Sequence, residues 1–320
     1  MAECALGTAY ATGQGVPKSF TQAARWYKKA AQQGYATAAN DLGVLYTKGL
    51  GVPQSYAQAA YWYEKAASGG NVTAQLKLAL LYYHGWGVPR SHTKAAYWYE
   101  KAAKQGDIIA QSMRGDFYYH GWGVPQSYAQ AVYWWRKAAN QGYPVAQLNL
   151  GVRYDRGQGV PQSHTKAAYW YKKAADQGLQ NAEYDLGVHY DHGWGVSQSY
   201  GKAAYWYEKA ASQGYAKAEN NLAVLYDHGQ GVPESHIKAA YWYEKAADQG
   251  NAVAENNLGA CYAQGRGVPQ DYNTAYMWFD LAAAKGVSQA VHNRQFAARF
   301  MSQTEIDQAQ RRAANWKPHD

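Results

Sequence analysis

Residues 38–73 read AANDLGVLYTKGLGVPQSYAQAAYWYEKAASGGNVT, and residues 74–109 read AQLKLALLYYHGWGVPRSHTKAAYWYEKAAKQGDII. The second stretch repeats the first at a step of 36 residues, and the step runs outward in both directions. Val-Pro recurs at Val16-Pro17, Val52-Pro53, Val88-Pro89, Val124-Pro125, Val160-Pro161, Val232-Pro233 and Val268-Pro269, with Val196-Ser197 filling the one gap. Trp26, Trp62, Trp98, Trp134, Trp170, Trp206, Trp242 and Trp278 keep the same step, as do Tyr10, Tyr46, Tyr82, Tyr118, Tyr154, Tyr190, Tyr226 and Tyr262. Three columns in register define a tandem repeat, and the repeat decides the fold.

Each unit resolves into two helices. Ala38, Leu42, Gly43 and Tyr46 fall on one helical face and predict a helix A over roughly 38–48. Gly49 and Gly51 end it, and Pro53 blocks a restart. Ser55 reads as an N-cap with Gln58 as its capping-box partner. Ala59, Trp62, Tyr63, Ala66 and Ala67 then form the apolar stripe of helix B, which Gly69-Gly70 closes. A buried Trp removes about 150–250 Å² from water, roughly 4–6 kcal/mol gross at about 25 cal/mol per Å². One helix pair cannot bury that ring alone, so stability has to come from stacked neighbours.

The repeat resembles the Sel1-like family, a relative of the tetratricopeptide repeats. The motif stands here as Ala146, Leu150-Gly151, Tyr154, Gly157, Gly159-Val160, Ala167, Trp170-Tyr171, Ala174-Ala175 and Gly178. Departures are Arg114 in place of Leu, Ala79 and Ala223 in place of Gly, and Trp135 and Phe279 in place of Tyr. The resemblance implies an all-α fold, a right-handed α–α superhelix (solenoid) of eight repeats at about 2–37, 38–73, 74–109, 110–145, 146–181, 182–217, 218–253 and 254–289. Residues 290–320 are expected to form C-terminal capping helices and a tail. Ala290 opens a ninth helix A, and Ser302-Gln303-Thr304-Glu305 is a capping box opening a last helix through Trp316. Ile306, Ala309, Ala313 and Trp316 are placed to cover the end of the stack, with Arg311 and Arg312 facing water. At the other end no cap precedes the first repeat, which suggests a trimmed or processed N-terminus.

The composition agrees with this frame. Hydrophobic residues make up 47% of the 320, enough for a core, and the aromatics are 31 Tyr and 13 Trp against 5 Phe, as fixed columns require. The net charge of +8 is distributed by the repeat: Lys65, Lys101, Lys137, Lys173, Lys209 and Lys245 recur late in helix B, where cations complement the helix dipole. It is not gathered into a basic patch interleaved with aromatics, so nucleic acid is not the expected partner. No apolar run reaches the length of a membrane span. The compartment stays open: periplasmic or secreted if a leader was removed, otherwise cytoplasmic. A monomer or weak homodimer is expected.

The invariant columns are scaffold, so function is sought where repeats differ. By resemblance, helix A lines the concave face, and its variable positions lie at i, i+4 and i+7. This stripe gives Met113, Phe117 and His120; Asn149, Arg153 and Arg156; Asp185, His189 and His192; and Asn221, Leu225 and His228. As a partner-binding groove it would be apolar at Met113 and Phe117, cationic at Arg153 and Arg156, and mixed at Asp185 and His189, with Arg forking a carboxylate. The alternative is a solvated face under neutral drift. A second candidate is the loop ridge of Trp86, Trp122 and Trp194, each set beside a His between two turn glycines. The alternative there is that each Trp packs on the neighbouring loop. Tyr61, Tyr97, Tyr133, Tyr169, Tyr205 and Tyr241 form a further column, expected to bridge adjacent units.

No catalytic motif appears, and no cofactor is implied. His189 and His192 with Asp185 and Asp191 place two imidazoles and two carboxylates close in sequence, but the spacing is poor evidence and no H-E-x-x-H occurs, so no metal site is assigned. Cys4 and Cys261 make no disulfide framework. Some members of the wider family are described as β-lactam-binding proteins with a Cys pair in each repeat; those pairs are missing here. The resemblance thus implies a non-enzymatic bacterial scaffold or adaptor that binds a protein or peptide. The alternatives are an immunity protein that clamps a toxin, a host-interaction virulence factor, or an enzyme or carbohydrate binder hinted at only by the Tyr and Trp content.

Overall fold

The computed structural model describes residues 2–318; Met1, and His319 and Asp320 of the expected tail, lie outside the described residues. The described residues hold eighteen helices and no strand. They divide into two compact units, Met1–Gln162 and Ser163–Asp320.

The first unit runs α1 (Ala2–Thr12), α2 (Phe20–Gln32), α3 (Ala36–Lys48), α4 (Tyr56–Ser68), α5 (Val72–His84), α6 (His92–Lys104), α7 (Ile108–His120), α8 (Tyr128–Asn140) and α9 (Pro144–Arg156). Odd-numbered members are A helices, even-numbered ones are B helices, and each packs on the next. The second unit runs α10 (His164–Ala175), a B helix, then α11 (Gln180–His192), α12 (Tyr200–Ser212), α13 (Ala216–His228), α14 (His236–Asp248), α15 (Ala252–Gln264), α16 (Tyr272–Ala284), α17 (Ser288–Ala298) and α18 (Gln303–Asn315). Helix A starts two residues ahead of the expected 38, because the turn glycine before it is followed directly by the N-cap.

Small residues set the helix spacing. Ala23, Ala59, Ala95 and Ala131 of the B helices and Ala38, Ala74, Ala110 and Ala146 of the A helices have no exposed surface. Gly43 lies against the Tyr63 ring, where an added Cβ would sit 2.6 Å from a ring carbon. The Trp column alternates: Trp62, Trp134, Trp206 and Trp278 are buried, while Trp26, Trp98, Trp170 and Trp242 are partly exposed. Tyr61 does not make the expected bridge to an adjacent unit. Its ring is half exposed, edge-on to Trp62 at 5.0 Å and under the Lys65 ammonium, so these contacts run along its own helix.

The serine cap forms, but without a box. The Ser55 side chain accepts from the Gln58 backbone N–H, while the Ser55 N–H donates to the Tyr46 carbonyl at 2.9 Å. That amide is the group Gln58 would have had to engage, so helix A of the same repeat has taken its place. The link recurs from Ser19 to Tyr10, Ser91 to Tyr82, Ser127 to Tyr118, Ser199 to Tyr190 and Ser235 to Tyr226. At α18 the full box of Ser302 and Glu305 is present. There Ala309 and Ala313 are buried, Trp316 meets Trp278 edge-on at 5.5 Å, and Arg312 donates to Asn273 at 2.7 Å.

Candidate interaction surface

Helix A packs with two turns of one face inward. In α3, Leu42, Gly43 and Leu45 are buried, whereas Asp41, Val44 and Lys48 keep surface. The outward stripe therefore runs i, i+3, i+7, one position away from the expected i, i+4, i+7. It reads Met113, Asp116 and His120; Asn149, Val152 and Arg156; Asp185, Val188 and His192; and Asn221, Val224 and His228. Met113, Asn149, Arg156, Asp185, His192, Asn221 and His228 stand on that stripe as expected.

Phe117, Arg153 and His189 do not line it. Phe117 is fully buried, edge-on to Tyr99 at 5.3 Å. Arg153 is 7% exposed; its guanidinium lies 4.5 Å over Tyr119 and donates to Gln158 Oε1 at 2.7 Å, so it is not poised to fork a partner's carboxylate. His189 is 1% exposed, with Nδ1 2.7 Å from the Trp194 carbonyl oxygen and its ring edge-on to Tyr171. Leu45, Leu81 and Leu225 occupy the same column and are buried too; those aliphatics were the sequence signal that the column faces the core. His192 is exposed, with Nδ1 3.1 Å from the Val188 carbonyl oxygen, while Asp191 accepts from the Tyr207 hydroxyl at 3.0 Å.

The loop tryptophans answer to both readings at once. Trp86 stacks on His84 at 4.3 Å and leans on Tyr56 of the preceding repeat at 5.7 Å, yet remains 44% exposed. Trp194 behaves similarly against His192 and His164, at 43% exposed. Trp122 is drawn further in, beside Tyr83 at 5.5 Å and Phe117 at 5.7 Å.

Between successive A helices the stripe opens into recesses at one repeat position. The recess between α3 and α5 has a volume of 250 Å³ and a floor of Val44, Tyr63, Leu80 and Trp86, with Lys48 and Lys77 at its edge. Between α13 and α15 the equivalent recess is 180 Å³, and Asp227, His228, Asn257 and Arg266 are among its lining. There Asp227 accepts from Arg266 at 3.0 Å and lies 2.9 Å from His236 Nδ1. Burial, and then the Asp227 charge, pushes the Cys261 thiol up to about 11, so it stays protonated and inert at neutral pH. In the first unit burial pushes Asp116 up to about 6, against the Trp135 indole N–H it accepts at 3.0 Å.

A further polar run has only Asn221 among the sequence candidates. Asn293 donates to Asn256 at 2.9 Å and Asn257 to Asn220 at 3.2 Å, joining α17, α15 and α13 through side-chain amides. The 36-residue recurrence of Asn221, Asn257 and Asn293 was its legible sign.

Helix pairs in tandem, packed through recurring columns such as the fully buried alanines, define a helical repeat protein. A Sel1 repeat model matches residues 1–35, 36–71, 72–107, 108–143, 144–179, 180–215, 216–251 and 252–287, and the chain belongs to the Sel1 repeat family, an all-α solenoid class. A Sel1 repeat protein from Oxalobacter formigenes is similar at 36% identity and a TM-score of 0.72, covering 94% of this chain and 86% of that one. The protein c5321, a protective antigen of uropathogenic Escherichia coli strains, is similar at 29% identity and a TM-score of 0.68, covering 98% and 83%. An immunity protein of Pseudomonas aeruginosa, Pa5087, matches at 21% identity and a TM-score of 0.38 over 67% of this chain and 81% of its own. No curated protein matches the chain. Among the described residues no helix is long and apolar enough to cross a membrane.

Proposed function

We propose that this chain is a non-enzymatic scaffold that holds a partner protein or peptide against the outward stripe of its A helices. One observation carries the reading. Two outward columns differ from repeat to repeat, Met113, Asn149, Asp185 and Asn221 in one and His120, Arg156, His192 and His228 in the other, and side-chain-sized recesses open beside these columns. That is the arrangement of a preformed surface, which binds with little loss of ordering entropy. The test is photocrosslinking of the intact chain in its cell of origin. Benzoylphenylalanine at Met113, Asn149 or Asn221 is expected to capture a common partner, identified by mass spectrometry. Capture only from Tyr97, Tyr133 or Tyr205 on the B helices overturns the placement.

A second reading, in which the chain clamps a folded effector or toxin as an immunity protein, draws on the exposed ring of Trp194. Alanine at Trp194 releases the partner under this reading and leaves it bound under the first.

A further inference from the structure

The recess between α3 and α5 is empty for a reason written in the repeat. Its walls carry Thr47 and Leu81. One repeat later the same two positions are Tyr83 and Phe117, whose rings meet at 5.7 Å and are joined there by Trp122. The chain therefore shows, in its own next repeat, that this space accepts an aromatic ring. What Thr47 and Leu81 leave open is an apolar floor that stays wet: Leu80 is 39% exposed and Trp86 remains open beside it. Exposing such side chains around a concavity is unfavourable unless another surface covers them.

The edge of the recess carries charge of one sign. Lys77 holds its ammonium 5.4 Å over the Tyr63 ring, and Lys48 stands on the facing helix. Each ammonium lies beyond ion-pair distance of every carboxylate among the described residues. Lys77 feels the charge of Asp41, whose carboxyl is held up by burial and which takes an amide hydrogen bond from Asn40. Burial holds the Lys77 ammonium below the usual lysine range; Asp41 works against that fall and Lys48 adds to it. Two cations beside an apolar pocket, in a chain of net charge +8, call for carboxylates from outside.

We propose that this recess takes an aromatic side chain from an acidic, extended segment of the partner, whose flanking carboxylates pair with Lys48 and Lys77. The inference rests on the scaffold reading above and assigns its partner a chemistry.

The experiment uses the full chain labelled with ¹⁵N and follows the Trp86 indole resonance, assigned by its loss in Trp86→Phe. The probe is the acetylated and amidated peptide Glu-Asp-Phe-Asp-Glu; its controls replace Phe by Gly, or the acids by Lys. The acidic Phe peptide is expected to move the Trp86 resonance at millimolar concentration, and neither control to do so. Thr47→Tyr fills the recess as Tyr83 does one repeat on, and should abolish the shift in a folded protein. The charge-reversed pair Lys48→Glu, at an exposed position, and Lys77→Glu, at a half-buried one, each checked for intact folding by circular dichroism, should weaken binding by about tenfold or more. A Trp86 resonance unmoved by the acidic Phe peptide, or moved equally by the basic one, overturns the proposal, as does unchanged affinity in both variants. If a partner is nevertheless crosslinked from Met113 or Asn149, the scaffold reading stands and this inference alone falls.

Discussion

At position 219 a carboxylate occupies a column that three earlier repeats fill with amide. Gln75, Gln111 and Gln147 are buried and donate to the carbonyls of Ala67, Ala103 and Ala139 at the end of the preceding B helix. Glu219 is equally buried and accepts from Gln249 at 2.7 Å. Burial pushes its carboxyl up to about 7; Lys245 works against the rise and Asp248 adds to it. The folded chain thus holds a proton that the unfolded chain gives up near 4.5. Its contribution to stability is full below that lower value and is lost as the pH climbs through 7. Glu219→Gln should therefore raise Tm at pH 8, by roughly 2–4 °C for each kcal/mol regained, and leave it unchanged near pH 4. The outward stripe makes a second prediction at this scale. Phe117→Ala is expected to cost about 3–5 kcal/mol in urea unfolding, while His120→Ala, at the outward position, costs less than about 0.5 kcal/mol. Equal costs would return Phe117 to the surface. Choosing i+4 rather than i+3 for the middle of the stripe is a small difference in phase. The sequence could have resolved it, since Leu45, Leu81 and Leu225 share Phe117's column.

Among the elements, the turn between helices A and B was the most legible, because glycine and proline positions are dictated by backbone geometry alone. Gly87 has φ 68°. A Cβ there would lie 2.2 Å from the carbonyl carbon of Tyr56 and 2.3 Å from the Ala57 nitrogen, so the turn rests on the first turn of the preceding B helix. Gly106 has φ 95° and open space around it. Alanine at Gly106 should cost about 1 kcal/mol, the conformational term alone. At Gly87 the clash with backbone adds to that term, and a loss of about 3 kcal/mol or more is expected by chemical denaturation. What the sequence did not disclose is where the Ser55 amide goes. Its acceptor, Tyr46, sits nine residues earlier, and a local capping rule looks only forward along the helix.

For the molecule as a whole, the periodicity made the fold readable from residue columns and left the partner unreadable. Most packed columns keep one residue type through the repeats, so eight copies reinforce one another, although the Leu45 column changes to Phe117, Arg153 and His189 and stays buried. Recognition demands differences, and a difference at one position has no second copy to support it: Thr47 against Tyr83 became meaningful only once both were seen bordering equivalent space. The Ser-to-Tyr amide links carry a last consequence. Because helix A and the start of helix B are pinned to each other at Tyr46 and Ser55, and likewise in the other repeats where the link occurs, a hairpin should resist stretching as one piece. Drawn from its ends in optical tweezers, the chain should lengthen in discrete jumps. Each would release one 36-residue hairpin and roughly 120 Å of contour. Half-sized jumps would mean that the pin gives way before the hairpin does.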